Sequence, residues 1–224
     1  MYQTKTTTTK SKARRITTII LGFALAMGGI HHGFFEILQG NTPTNGMFIE
    51  SIGPDHRIWL HGNDPAVTLI PNFLYTGMAS VVTGILIIFW TIFFIDKKHG
   101  PSIFLLLFIL LTLTGGGIGH IPFFILAWAY ATNTRSDLNW WKKNLPEKWK
   151  RNLAKVWLPV TILSALFFIT GLEISVFGFV PGTSDPEIIL TVCWSFLFGS
   201  LLLINVSYIS GYAYDLLHNK QHIQ

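Results

Sequence analysis

Apolar residues along this chain fall in long unbroken runs, and polar residues are confined to the gaps between them. Four runs stand out: 16–38, 67–95, 156–180 and 188–214. About twenty apolar residues cover the hydrocarbon core of a bilayer, so each run predicts a spanning helix. Pro71 lies in the first turns expected for the second helix, where a proline is tolerated. In the first run, Gly22, Ala26, Gly29 and Gly33 follow one another at spacings of four, three and four. Such a stripe lets another helix approach closely. Ala24-Leu25-Ala26 has the look of a signal-peptide cleavage site, but the run continues through Phe34, Phe35, Ile37 and Leu38. The expectation is an uncleaved first helix.

The segment 101–134 breaks the pattern. It reads as an apolar arm of thirteen residues (102–114), then Gly115-Gly116-Gly117-Ile118-Gly119-His120, then a second apolar arm, 121–131. Four glycines in five positions, followed by Pro122, oppose a continuous helix. The first arm reaches about 20 Å as a helix, short of a core of about 30 Å.

Charge decides how this segment runs. If it crossed once, Lys and Arg would divide seven to nine between the two sides. If it enters and returns, the division is fifteen to one, with Arg57 alone outside. The positive-inside bias selects the second arrangement. The expected fold is therefore an all-α polytopic membrane protein. It has four full spans and a glycine-broken element, either a re-entrant hairpin or a pair of short helices. A basic tail at 1–15 and a second tail at 215–224 are expected on the cytoplasmic side of a prokaryotic plasma membrane.

Composition agrees. Half the residues are hydrophobic and 12% charged, where about 25% is usual for soluble domains. The net charge of +5 comes from residues flanking the apolar runs, so it speaks for an anionic inner leaflet and against nucleic acid. Cys193, the single cysteine, sits inside an apolar run as a buried small residue. The loop 40–66 is rich in turn signals such as Asn45-Gly46, Gly53-Pro54 and Asn63-Asp64-Pro65. In 135–155, Trp141, Leu145, Trp149, Leu153 and Trp157 recur every fourth residue between lysines. That spacing predicts an amphipathic surface helix, interrupted or started near Pro146.

Ionisable groups at membrane depth are expensive and mark candidate sites. Here they are His31, His32, Glu36, His120 and Glu173, with Asn72 at a similar height. All fall in the outer half, where they would form one polar site opening toward the loop. His32 and Glu36 share a helix face, and His31 points about 100° away. The glycine bend, Gly115, Gly116, Gly117 and Gly119, offers free backbone beside them. His32, Glu36 and His120, with loop residues His56, His61 and Asp64, are of the type that ligates zinc or iron. Paired histidines on different helices also suit haem. Three functions remain open: small-solute or proton-coupled transport, which in so short a chain would call for a homo-oligomer; a metal- or haem-dependent membrane enzyme; and a non-catalytic subunit.

The strings 32–41 (His-Gly-Phe-Phe-Glu-Ile-Leu-Gln-Gly-Asn), 64–73 (Asp-Pro-Ala-Val-Thr-Leu-Ile-Pro-Asn-Phe) and 115–119 resemble a family of small prokaryotic multi-spanning membrane proteins with no assigned activity. The resemblance covers roughly the first 135 residues. It implies a shared topology and supplies no catalytic residues. Ceramidase-like membrane hydrolases, which use histidines, a serine and an aspartate, differ in spacing and span number.

Overall fold

The computed structural model describes residues 11–218; the outer parts of both tails lie outside them. Seven α-helices carry the described chain: α1 (Lys12–Leu38), α2 (Phe73–Phe93), α3 (Gly100–Leu113), α4 (Ile121–Thr132), α5 (Asn139–Asn144), α6 (Glu147–Phe177) and α7 (Pro186–His218). Two three-residue strands, β1 (Phe48–Glu50) and β2 (Pro65–Val67), lie between α1 and α2. Helices α1, α2, α6 and α7, of 27, 21, 31 and 33 residues, are long and apolar enough to cross a membrane.

Local chemistry sets the helix ends. Gly40, at φ +74°, follows α1 and terminates it. Helix α6 ends the same way at Gly178, φ +60°, whose amide donates to the Ile174 carbonyl. Asp185 caps α7 by accepting from the Glu187 amide at 2.9 Å and the Ile188 amide at 3.3 Å, and Pro186 occupies the first helical position. The second helix starts six residues later than the apolar run suggests. Val67 belongs to β2 and Pro71 precedes the helix, because Asn72 takes the N-cap and accepts from the Tyr75 amide at 3.3 Å.

Helices α1 and α2 pack through the small-residue stripe. A Cβ on Gly33 would stand 2.6 Å from the Gly77 carbonyl oxygen, and one on Gly22 would meet Thr91. Ser80 Oγ donates to the Gly29 carbonyl at 3.0 Å, taking advantage of that approach. Gly29 itself faces Leu111 of α3.

Helices α3 and α4 form a hairpin. Trp90, near the end of α2, donates to the carbonyl of Gly100 at the start of α3. Thr76, near the start of α2, donates to the carbonyl of Thr114 at the end of α3. Helix α3 thus runs antiparallel to α2. Helix α4 returns: the Asn133 and Ser136 carbonyls just beyond it accept from Arg14 at the start of α1. Phe104 and Phe108 of α3 pack on Phe124 of α4, in the interior of the bundle.

The aromatic stripe at 141–157 departs from a single surface helix. The chain breaks at Leu145–Pro146, and Glu147 opens α6, which continues without interruption to Phe177. Trp157 is buried and donates to Thr17 Oγ1 at 2.8 Å. Trp141 packs on Tyr212. The lysine-bearing residues 148–155 are therefore the first turns of a long helix, not a raft beside it.

At this basic end, Arg14 and Asp215 are an ion pair at 2.8 Å, with side chains 3% and 2% exposed. Arg14 also donates to the Asn133 and Ser136 carbonyls, and Asp215 also accepts from the Ala13 amide at 2.9 Å. One pair thus ties α1, α7 and the exit of α4. Removing one partner strands the other charge in the interior, which costs about 3–5 kcal/mol. Asp215→Ala should lower stability by that order, measured by thermal unfolding in detergent, while Lys148→Ala on the exposed turn should leave it unchanged.

Candidate functional site

The loop between α1 and α2 folds onto the opposite end of the bundle and reaches into it. Strand β2 pairs antiparallel with β1, with Ile49 opposite Ala66. Its other edge meets the glycine bend: the Gly115 amide donates to the Val67 carbonyl at 2.9 Å and the Ile118 amide to the Pro65 carbonyl at 3.1 Å. Just beyond it, the Leu69 amide donates to the Leu113 carbonyl at 2.9 Å.

Below this cap lies a buried polar cluster. His32 and Glu36, one turn apart on α1, both face inward. Ser51, from the loop just after β1, joins them: its hydroxyl donates to Glu36 Oε1 at 2.9 Å and lies 2.9 Å from His32 Nδ1. A hydroxyl has one proton to give, so with that proton on the Glu36 side a neutral His32 donates from Nδ1 and keeps Nε2 bare. That Nε2 lies 3.9 Å from Asp64 Oδ2. Asp64 adopts φ +42° directly before β2, and Ser175 Oγ of α6 shares its proton between the Leu172 carbonyl at 2.8 Å and Asp64 Oδ2 at 3.5 Å. His120, at the start of α4, sets its ring edge-on to His32 at 5.1 Å and donates from Nδ1 to the Gly116 carbonyl at 2.8 Å. Its Nε2 is therefore bare as well, and it points at Gly28.

The glycines make this packing feasible. Gly115 (φ +100°) and Gly117 (φ +88°) adopt backbone conformations that L side chains avoid. A Cβ on Gly115 would collide with the Glu36 carboxylate, and one on Gly117 would lie 2.5 Å from His32 Nε2. Gly116 abuts Leu111, and Gly119 has open space around it.

Exposure falls along the cluster. The Asp64 side chain is 19% exposed and His32 6%, while Ser51 and Glu36 have no exposed surface. Among the described residues, Glu36 Oε2 has no hydrogen-bond partner. Toward the basic end the cluster is closed by aromatic rings, His120 lying against Phe168 and Phe168 against Phe123.

The candidate residues therefore divide into two places. His31 turns to the flank of the bundle, 3.8 Å from Glu173 Oε1, with side chains 26% and 46% exposed. Glu173 is at the expected height but outside the cluster, on the rim of a shallow apolar groove with Phe177, Val180 and Phe196. Asn72 is a helix cap whose Nδ2 donates to Asn41 Oδ1 at 2.7 Å, so its polarity is spent locally. His61 pairs with Glu187 at 3.3 Å and leans on Trp59. His56 ends the 3-10 turn Pro54–His56 and takes no part in the cluster. Ser51 and Ser175 are the members that sequence reasoning missed. No periodicity marks a serine in an irregular loop, and Ser175 reads as one more residue of a span.

Among the described residues, no group of three or more His, Cys, Asp or Glu side chains stands ready to hold a metal ion. The His32 and His120 rings meet edge-on with the Gly117 backbone wedged against both, so no slot for a porphyrin lies between them. Compared with protein families, curated proteins and solved structures, the chain matches none.

Two outcomes follow from this geometry. Ser51→Ala leaves Glu36 Oε1 and His32 Nδ1 unpaired, which should cost about 1–3 kcal/mol in unfolding free energy. Asp64 should shape the pH dependence. Burial raises its carboxyl above the ordinary range, against the opposing effects of His120, the Ser175 hydrogen bond and His31. A carboxyl raised on folding binds its proton more tightly in the folded state, so it stabilises the fold in acid. That contribution is lost as pH rises through the raised value. Asp64→Asn should flatten this part of the stability–pH curve; an unchanged curve would refute the assignment.

Proposed function

We propose that this chain is an integral membrane protein with both termini on the cytoplasmic side. Its buried cluster takes a proton from the outer side and couples it to movement of a small solute. Four long apolar helices support the membrane reading. So does the segregation of basic residues, which leaves Arg57 alone at the loop end. With these helices in a bilayer, the α3–α4 hairpin enters from the cytoplasmic side and returns to it. Its bend rests on the outer loop.

The observation that carries the functional reading is the relay Asp64–His32–Ser51–Glu36. Hydrogen bonds of 2.9 Å join His32, Ser51 and Glu36, Asp64 stands 3.9 Å from His32 Nε2 at the more exposed end, burial deepens along the series, and it ends on a carboxylate oxygen with no partner among the described residues. An unpartnered charged oxygen in the interior is costly. Protonation relieves that cost, so the end of the relay is where a proton would rest. His32 can accept at Nε2 from the Asp64 side and release from Nδ1 toward Ser51, which passes a proton on to Glu36. The aromatic layer of Phe123 and Phe168 closes the way inward. Release to the cytoplasmic side would require that layer to shift, which is the expected behaviour of a gated pathway.

Glu36→Gln keeps the shape and the acceptor for Ser51 but cannot take a proton. In infrared difference spectra across a pH step, wild type should show a buried carboxylic-acid band that Glu36→Gln lacks. In liposomes with a trapped pH dye, challenged with pools of amino acids, sugars and amines, wild type should acidify the lumen and Glu36→Gln should not. Identical spectra and identical uptake would end this reading.

A further inference from the structure

Helix α7 is the least covered of the four long helices. Of its most apolar stretch 22% is buried, against 61% for α1, 39% for α2 and 44% for α6. One face is fully used against α6: Cys193 Sγ donates to the Gly171 carbonyl, Ser200 Oγ to the Ser164 carbonyl, and Ser207 meets Thr161. The opposite face carries Thr191, Ser195, Phe198, Leu202 and Asn205, all exposed. Their spacings are four, three, four and three, an average of 3.5 residues, which is the repeat of a helix seam that packs on a second helix at about 20°.

Asn205 distinguishes this face from one that merely meets lipid tails. It lies ten residues from Asp215, the marker of the basic end. That is about 15 Å along the helix, the middle of a hydrocarbon core of about 30 Å. The hydroxyls on the face are already satisfied, Thr191 donating to the Glu187 carbonyl and Ser195 to the Thr191 carbonyl, each at 2.8 Å. Asn205 is not: Nδ2 donates to the Leu201 carbonyl at 2.8 Å, while the second N–H and Oδ1 meet no partner among the described residues. Hydrocarbon offers none either.

We infer that this face of α7 is the contact between two copies of the chain, related by a twofold axis through Asn205. A carboxamide is self-complementary. Across a twofold axis, each Asn205 gives its free N–H to the other's Oδ1 and accepts the same bond in return. Phe198 and Leu202 flank the pair as packing residues. A different protein would need an amide at the same depth, whereas a second copy supplies it by symmetry. A single buried Asn in a heptad seam also fixes register and partner number. The inference rests on the membrane reading above, but not on the proton relay.

The test has three parts, all on the full chain. Alkaline carbonate extraction of membranes comes first: protein that stays in the pellet is membrane-spanning, and protein that is released overturns both this inference and the membrane reading. Next, Leu202→Cys and Leu166→Cys, each in a Cys193→Ala background, are oxidised in membranes. Leu166 is exposed on α6, away from the seam. Dimer cross-linking at 202 and not at 166 is expected; none at 202 overturns the interface. Finally, single-molecule photobleaching of labelled protein with the native Cys193 in liposomes should show two-step traces. Asn205→Leu should weaken self-association about tenfold. Pellet-bound protein that bleaches in one step, or an Asn205→Leu variant that dimerises as well as wild type, would sink the inference while leaving the membrane reading intact.

Discussion

Everything at the loop end of this molecule depends on how the glycine bend meets its hydrogen-bonding needs. A turn of irregular backbone in the middle of an apolar bundle leaves amides and carbonyls that no helix satisfies. Strand β2 answers this by presenting the Pro65 and Val67 carbonyls to the Ile118 and Gly115 amides. Once those bonds are in place, the loop cannot float above the bundle. It is drawn in far enough to set Ser51 and Asp64 beside His32 and Glu36. The same bend turns the chain so that His120 opens α4 against His32. The cluster is thus a consequence of hydrogen-bond accounting at the bend as much as of the residues in it.

The two ends of the bundle hold their buried ionisable groups in opposite ways. At the basic end, Arg14 and Asp215 lie 2.8 Å apart and both have further backbone partners. Such a pair is fixed and belongs to the architecture. At the loop end, among the described residues, Glu36 has one hydrogen-bond partner and one bare oxygen, and two imidazoles keep bare Nε2 atoms. Groups left partly unsatisfied can change state without dismantling the fold around them. Structure and candidate site are thereby separated along the length of α1.

Much of this was legible from residue order alone. Arm lengths, four glycines and a count of lysines and arginines were enough to turn 101–134 back on itself, because charge asymmetry and helix rise are local, additive quantities. The shared face of His32 and Glu36 followed from helical periodicity. Glu173 shows where that reasoning stops: rise per residue gives height but not direction, and Glu173 reaches the right level on the wrong side of α6. Trp157 shows the same limit, since a four-residue spacing carries on unchanged from a surface turn into a buried helix. Ser51 was invisible because its place is set by the pairing of β1 with β2 across fourteen intervening loop residues, a long-range contact with no local signature.

Strand β2 is bonded along both edges, to β1 on one side and to the bend on the other. It therefore has no free rim for another chain to join. Among the described residues, the outer edge of β1 is three residues long with Glu50 in it, and the Glu50 carbonyl there already accepts from Gln39 Nε2 at 3.0 Å. Short, charged edges are poor templates for strand addition. The loop end is thus a poor docking site for an incoming extended peptide, which would find no run of free backbone groups to pair with.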